Sequence, residues 1–214
     1  VSCFSFNKTK HVQCGQGGAL CLRDPGMENR ARHLADRGTD RLEVVRGEKS
    51  FYQWVGIGGS FVPTMMQAAY LYPQLQAVEA GIASRARLWR RYAEKLIRLV
   101  EEEFIQFPLI ARNVASNYPS FHVLLPSSAE RAKLKDYLAI HGVDAYIGYF
   151  PLHESTMGIR SKASWHSLTK TEELSHCVLR LPMYNTLSVT EVERICGIVE
   201  KYFGFESEID HTLG

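Results

Sequence analysis

The chain has 214 residues, of which 45% are hydrophobic, and its 25 basic and 23 acidic residues leave a formal net charge of +2. This near balance excludes the strongly basic surface of a nucleic-acid-binding protein and an acidic tail, so we expect a small molecule or another protein as partner. No apolar run reaches the ~18 residues needed to cross a bilayer, which predicts a cytoplasmic protein without a membrane partner.

The five cysteines are odd in number and form no C-x-x-C pair, which argues against a disulfide framework and against a zinc site. We expect reduced, mostly packed thiols and no metal. The chain begins with Val1, and its opening "VSCFSF" has the composition of a buried strand. We therefore expect the chain to be the later part of a longer protein.

The first elements in the chain are two predicted strands, 1–6 and 18–22, on either side of the polar stretch "NKTKHVQCGQG". The following "DPGMENRARHLADRG" predicts a turn at Asp24 and then a helix that Gly38 closes. A loop is predicted over 39–63, and loops of that length in compact domains are usually functional.

Residues 64–104 are predicted to be helical almost throughout, with a break near Pro73 because proline lacks a backbone N–H. Leu88, Tyr92 and Leu96 recur on one face, which we expect to be packed. The arginine-rich "RARLWRR" (85–91) is interpreted as a solvated helix face, with a phosphate or membrane patch as the alternative.

Beyond residue 106 the pattern changes to strands alternating with helices. Strands are predicted at 120–126, 144–150 and 177–182. Ser127, Thr169 and Ser188 each precede a glutamate by three residues, which predicts three helix N-termini with capping boxes. This alternation is typical of a small α/β domain.

The polar stretch near the start suggests that Lys10 is a covalent anchor. A free lysine has a pKa of ~10.4 and is a poor nucleophile unless neighbouring cations or partial burial favour the neutral amine. Lys8 and His11 lie close by, and the glycines of "GQGG" remove side chains where the backbone must pass close to something bulky. On local physics alone, two solvated lysines in a polar turn are the more common outcome.

Several segments in order carry a resemblance to one family. "SFNKTKHVQCGQGGAL" resembles the S-F-H-x-T-K-N-x-x-x-G-E-G-G segment of the DegT/DnrJ/StrS sugar-nucleotide aminotransferases. "ADRGTDR", "YQWVGIGGSFVPTMMQAAYL", "GYFPLH" and "CVLRLPMYNTLS" are similar to its later segments, closest to the branch that acts on dTDP-4-keto-6-deoxyhexoses.

The resemblance implies an α/β, fold-type-I, pyridoxal-phosphate-dependent aminotransferase. In that reading 1–63 are the end of the large cofactor-binding domain, 64–105 are connecting helices, 106–205 are the small C-terminal α/β domain and 206–214 are a tail. The complete enzyme would be a homodimer that moves an amino group from glutamate to a keto sugar carried by a nucleotide.

The resemblance also assigns roles to individual residues. Lys10 would hold pyridoxal phosphate covalently and move the proton during catalysis, and Ser5 would bind the cofactor phosphate. Since five extended residues would separate the two by roughly 17 Å, at ~3.4 Å per residue, the chain must turn within residues 7–9.

Further residues are candidates for substrate binding, each with a structural alternative: Arg41, Arg46, Tyr149, His153 and Trp54. For the arginines the alternative is solvation, and for His153 it is a structural role. Core packing is the more common role for Tyr149 and Trp54, and His122 is interpreted as a polar-face strand residue.

The chain also departs from the family pattern, at Asn7, His11, Asp40, Gly56, Gly59, Phe61, Met65 and Gly148. These changes make a non-catalytic sugar-nucleotide-binding or regulatory protein the alternative function. The sugar dehydratases of the family are disfavoured because they carry a histidine in place of the lysine. The acid that faces the cofactor's ring nitrogen lies upstream of the lysine in the family, so we expect this chain alone to bind the cofactor poorly.

Overall fold

The computed structural model describes residues 1–108, 110–111, 113–161 and 167–205. The chain divides into two compact units, Val1–Ala80 and Gly81–Gly214, which are described separately. The predicted tail, 206–214, lies outside the described residues, and the predicted boundaries at 63 and 105 stay predictions. No helix in the described part is long and apolar enough to span a bilayer.

The first unit opens with a two-stranded hairpin. Strand β1 (Ser2–Ser5) pairs antiparallel with β2 (Gly18–Cys21), with Ser2 opposite Cys21 and Ser5 opposite Gly18. Asp24 then caps a 3-10 turn (Pro25–Met27) through its side chain, and helix α1 (Glu28–Ala35) follows. Both predicted strands and the predicted turn and helix are therefore confirmed.

Gly38 closes α1 as predicted. Its φ of +74° lies in the left-handed region, and a Cβ there would sit 1.9 Å from the carbonyl oxygen of Gly56, so glycine is required. The predicted loop over 39–63 is wrong in one part, because Arg41–Val45 form a short helix, α2. Five residues are too few for a helical period to stand out in the sequence.

Helix α3 (Met65–Gln76) begins with a capping box between Thr64 and Gln67. The predicted break at Pro73 is wrong, since the helix continues through it. The proline leaves the carbonyl oxygen of Ala69 without its usual helical N–H donor, and the helix tolerates this loss. Helix α4 (Val78–Glu101) follows after Ala77.

Large apolar side chains of the first unit lie mostly on its surface. Among the described residues of Val1–Ala80, Cys14 is the one buried hydrophobic residue. Ile57, Met65 and Met66 are more than 80% exposed. Exposed apolar area on this scale is typical of a surface that another part of a protein covers.

The second unit holds the hydrophobic core. Strand β3 (Phe121–Leu124) pairs antiparallel with β4 (Val178–Leu181). Three helices lie between these strands in the sequence and one follows β4: α5 (Ser128–Ile140), α6 (Thr156–Arg160), α7 (Thr169–Cys177) and α8 (Val189–Tyr202). Leu88, Tyr92 and Leu96 of α4 are fully buried in this core, as their spacing predicts. Alternate strand residues such as Phe121 and Val123 join them.

Two local predictions in this unit are wrong. Residues 144–150 form no strand, and only Tyr146 bridges to Arg180. Helix α7 begins at Thr169 as predicted, but its N-cap is Leu168 and the predicted capping box is absent; Glu172 contacts His153. Ser127 caps α5 through the N–H of Glu130, and Ser188 caps α8 with a complete capping box, as predicted.

The arginine-rich stretch is a solvated face only in part. Arg87 and Arg90 are exposed, and Arg91 forms an ion pair with Glu193. Arg85 is buried and donates to the carbonyl oxygens of Tyr118, Pro119 and Met183 and to Asn185 Oδ1 at 2.9–3.2 Å.

All five cysteines are free thiols; Cys14 and Cys196 are buried, Cys177 is half-buried, and Cys3 and Cys21 are exposed.

Candidate functional site

The loop between β1 and β2 carries Lys10 on a tight turn. The Lys10 N–H donates to the carbonyl oxygen of Asn7 at 2.9 Å, and the Thr9 N–H lies 3.4 Å from Asn7 Oδ1. The chain reverses at this point, which is the turn that the Ser5–Lys10 pairing requires. The two sides of the loop are joined by a hydrogen bond from the Lys8 N–H to the carbonyl oxygen of Gly15 at 3.0 Å.

Helix α3 holds this loop through its glutamines. The Gln13 N–H donates to Gln74 Oε1 at 3.2 Å, and Gln74 Nε2 donates back to the Gln13 carbonyl oxygen at 2.9 Å. Gln67 Nε2 donates to the carbonyl oxygen of Gln16 at 3.0 Å while its Oε1 serves the capping box. A Cβ at Gly17 would lie 2.6 Å from Cys14 Sγ, so a close contact within the loop explains that glycine. Sequence reasoning missed the three glutamines because their contacts span 51 to 61 residues.

Lys10 and Ser5 are both exposed. The Lys10 ammonium forms no ion pair or hydrogen bond with any residue in the described part of the chain. Ser5 Oγ accepts from the Asn7 N–H at 3.3 Å, which leaves its hydroxyl hydrogen available to an acceptor.

The two candidate arginines of the first unit lie at opposite ends of α2. Arg41 is its first residue and Arg46 follows its last, and both are exposed. Five positions along a helix place side chains about 140° apart at ~100° per residue, so they do not share a face. Trp54 is 72% exposed and packs at a tilt against Tyr52, so the core-packing alternative for Trp54 is wrong.

An ion-pair network around the buried carboxylate of Asp40 lies beside α2. The Asp40 carboxylate accepts from Lys49 Nζ and from the Gln53 N–H, both at 2.7 Å, and Lys49 also pairs with Glu43 at 2.6 Å. The Lys49 ammonium, with the Gln53 N–H, lowers the pKa of Asp40. Lys49, with His33, lowers the pKa of Glu43. The sequence marked Asp40 only as a departure from the family pattern, and its carboxylate is fully engaged within the chain.

Tyr149 and His153 belong to the second unit. Tyr149 is 76% exposed, so core packing is wrong for it too, and its ring centroid lies 5.4 Å from the Arg180 guanidinium. His153 Nε2 lies 3.1 Å from Glu172 Oε1. The side chains of His153, Glu154 and Glu172 each offer one nitrogen or oxygen atom that could bind a metal ion, and these three atoms lie within 4.8 Å of one another. The contact between His153 and Glu172 supports a structural role for His153, and substrate binding stays its other candidate role.

A comparison with known protein families agrees with the motif resemblance. The profile of the DegT/DnrJ/EryC1/StrS aminotransferase family matches residues 1–200. The chain belongs to this family. Its members are pyridoxal-phosphate-dependent transaminases.

Individual relatives of this family extend the comparison. The UDP-2-acetamido-2-deoxy-3-oxo-D-glucuronate aminotransferase of Pseudomonas aeruginosa is 27% identical over 92% of the chain and 50% of its own length. The GDP-perosamine synthase of Escherichia coli O157:H7 is 25% identical over 95% of the chain and 52% of its own length. The chain therefore spans about half the length of the curated relatives it matches.

Solved structures give the same result for the fold. The aminotransferase TlmJ from Streptoalloteichus hindustanus is 25% identical, with a TM-score of 0.79 over 94% of this chain and 51% of that one. A family aminotransferase from Brucella abortus is 26% identical, with a TM-score of 0.78 over 94% of this chain. The predicted α/β, fold-type-I aminotransferase architecture is confirmed for the part that the chain covers.

The residues present fit the family's cofactor in two respects. Lys10 offers an exposed primary amine, and Ser5 on the same hairpin offers a hydroxyl that suits a phosphate oxygen. No carboxylate in the described ranges pairs with Lys10. Lys10 as the anchor and Ser5 as the phosphate ligand of pyridoxal phosphate stay predictions.

Proposed function

We propose that the whole protein is an aminotransferase that moves an amino group from glutamate to a keto group of a nucleotide-linked sugar. Family membership supports the reaction type. The relatives' names include UDP-, GDP- and dTDP-linked sugars, which supports a nucleotide sugar as the substrate class. Among these, the motif resemblance favours a dTDP-4-keto-6-deoxyhexose.

The observation that carries the proposal is the turn at residues 7–10. It reverses the chain within the loop that joins β1 and β2, so that Lys10 and Ser5 belong to the same hairpin. Lys10 would hold pyridoxal phosphate through Nζ, and Ser5 would donate to its phosphate. When bound, the cofactor supplies an electron sink that makes a proton next to the amino nitrogen easy to remove.

Lys10 would then act as general base and general acid. With its Nζ free, Lys10 would take up a proton at the reacting centre and return it, as an amine held beside a reacting group can. Arg41, Arg46, Tyr149 and His153 stay proposed substrate ligands; an arginine suits a phosphate or carboxylate because its guanidinium donates in pairs. A homodimer in the cytoplasm is part of the same proposal.

The test is reductive trapping with borohydride. The chain is incubated with pyridoxal phosphate, reduced and digested, and the modified lysine is located by mass spectrometry. We expect the adduct on Lys10, its loss in Lys10→Ala, and its retention in the matched control Lys8→Ala. A longer form of the protein, if expressed, should give the same adduct at lower cofactor concentration.

Two results would contradict the proposal. An adduct spread over several lysines, with Lys10→Ala labelled as strongly as the unmodified chain, would remove the anchor. A Lys10→Ala protein that loses the adduct but still binds a dTDP-sugar, while the unmodified protein shows no transamination, would favour the sugar-nucleotide-binding alternative.

A further inference from the structure

Two histidines and two glutamates form a cluster in the second unit, where a 3-10 turn (Leu152–Glu154) meets helix α7. The turn contributes His153 and Glu154, and α7 contributes Glu172 and His176, which are four residues apart and lie on one face of the helix. His176 is exposed and the other three are half-buried, so an ion from solvent can reach the group. We call it the His–Glu cluster.

The nitrogen and oxygen atoms of the cluster have the spacing of metal ligands. His153 Nε2 lies 3.1 Å from Glu172 Oε1. His176 Nε2 lies 3.8 Å from Glu154 Oε2. Four atoms bound to Zn²⁺ at ~2.0–2.2 Å, at the corners of a tetrahedron, are ~3.3–3.6 Å apart. The observed separations lie on both sides of that range, so small side-chain rotations are enough to form such a site.

The charges of the cluster favour a divalent cation. In the part of the chain that the structure describes, no lysine or arginine pairs with Glu154 or Glu172, and their ion-pair partners are the two histidines. A neutral imidazole leaves both negative charges in place, and a divalent ion compensates them. Imidazole nitrogen beside carboxylate oxygen suits Zn²⁺ and similar transition-metal ions, whereas Mg²⁺ and Ca²⁺ prefer oxygen ligands alone.

Hydrogen bonds within the chain hold both elements of the cluster. Ser155 Oγ donates to the carbonyl oxygen of Leu152 at 2.6 Å and accepts from the Gly158 N–H at 3.0 Å, which fixes the 3-10 turn. Arg131 Nε of α5 donates to the carbonyl oxygen of His176 at 3.1 Å, which fixes the end of α7. A site whose ligands are positioned beforehand loses less entropy on binding.

We propose that the His–Glu cluster binds a divalent transition-metal ion, with Zn²⁺ as the expected occupant. The bound ion joins α7 to the 3-10 turn. The expectation of no metal came from the cysteines, and this cluster contains none of them. The inference goes beyond the function proposed above and does not depend on Lys10, and it gives His153 a role other than substrate binding.

The test is calorimetric titration with Zn²⁺ of a parent protein that carries Cys3→Ser and Cys21→Ser, because exposed thiols also bind zinc. We expect the parent to bind a single equivalent of Zn²⁺. Glu172→Gln keeps the size of the side chain and removes its charge. It should weaken binding at least about 10-fold, since loss of even an outer partner of a metal ligand costs about 10- to 100-fold. The matched control Glu173→Gln, at the exposed next position of α7, should bind as the parent does.

A second pair of variants tests the histidines. His153→Gln should weaken Zn²⁺ binding as Glu172→Gln does, whereas His141→Gln, at the exposed C-cap of α5, should leave it unchanged. If a ligand variant fails to fold, nuclear magnetic resonance of the parent replaces it. The ring signals of His153 and His176 should then shift when Zn²⁺ is added, while those of His141 stay in place.

Three results would overturn the inference. In the first, the parent binds Zn²⁺ no more tightly than Mg²⁺. In the second, Glu172→Gln binds Zn²⁺ as well as Glu173→Gln does. In the third, Zn²⁺ leaves the ring signals of both cluster histidines unchanged. Trapping of pyridoxal phosphate at Lys10 is measured without Zn²⁺, so failure of either proposal leaves the other result unaffected.

Discussion

The buried Arg85 gives the sharpest prediction about stability. Burial lowers the pKa of its guanidinium, yet an arginine stays charged at neutral pH, and four hydrogen bonds replace its water. At about 1 kcal/mol net for a typical hydrogen bond, the four together contribute about 4 kcal/mol. Arg85→Met keeps the apolar stem and removes the charge, whose desolvation cost offsets part of that loss.

We therefore expect Arg85→Met to lower the free energy of unfolding of the second unit by about 2–4 kcal/mol. Arg87→Met, two residues along the same helix and exposed, is the matched control and should change it by less than about 0.5 kcal/mol. Urea unfolding followed by near-ultraviolet circular dichroism measures this, since Trp89 packs 5.4 Å from Phe121 in the core. Equal effects of the two substitutions would refute the role given to Arg85.

Two further predictions concern a helix cap and a titrating strand residue. Ser188→Ala removes the capping box of α8, so we expect it to lower the free energy of unfolding in urea by about 1 kcal/mol. Thr169 is not an N-cap, and Thr169→Ala should leave that free energy nearly unchanged. A larger effect of Thr169→Ala than of Ser188→Ala would contradict the assigned caps. Burial and then the charge of Arg180 lower the pKa of His122, so the unfolded chain binds the proton more readily and stability should fall as pH drops below about 6.5. His122→Gln should flatten that part of the pH profile in thermal unfolding, and an unchanged slope would count against this assignment.

Local signals in the sequence were sufficient where a contact lies within one turn. Ser188 and Glu191 are three residues apart, and their box is present; the alternation in "FHVL" also placed β3 correctly. Pro73 shows the limit of such signals, because the helix continues past it. A residue's general preference predicts the average case, and a specific neighbour can reverse it.

Contacts between distant residues could not be predicted. Arg85 looked like one member of a solvated arginine face, and only its bond to Asn185, 100 residues away, makes it a buried support. The candidate site divides in the same way. Lys10 and Ser5 were predicted from the family resemblance, whereas the glutamines of α3 that bond to their loop, Gln67 and Gln74, became visible only in the structure.

The contrast between two lysines of the first unit bears on the function of Lys10. Lys49 is a structural lysine: its ammonium pairs with Asp40 at 2.7 Å and with Glu43 at 2.6 Å. Lys10 lies on a loop whose residue Gln13 forms reciprocal hydrogen bonds with Gln74 of α3, yet its amine meets no described partner. A fixed backbone with an open amine suits a residue whose partner is a small molecule, because the ordering of the loop has been completed before the ligand arrives.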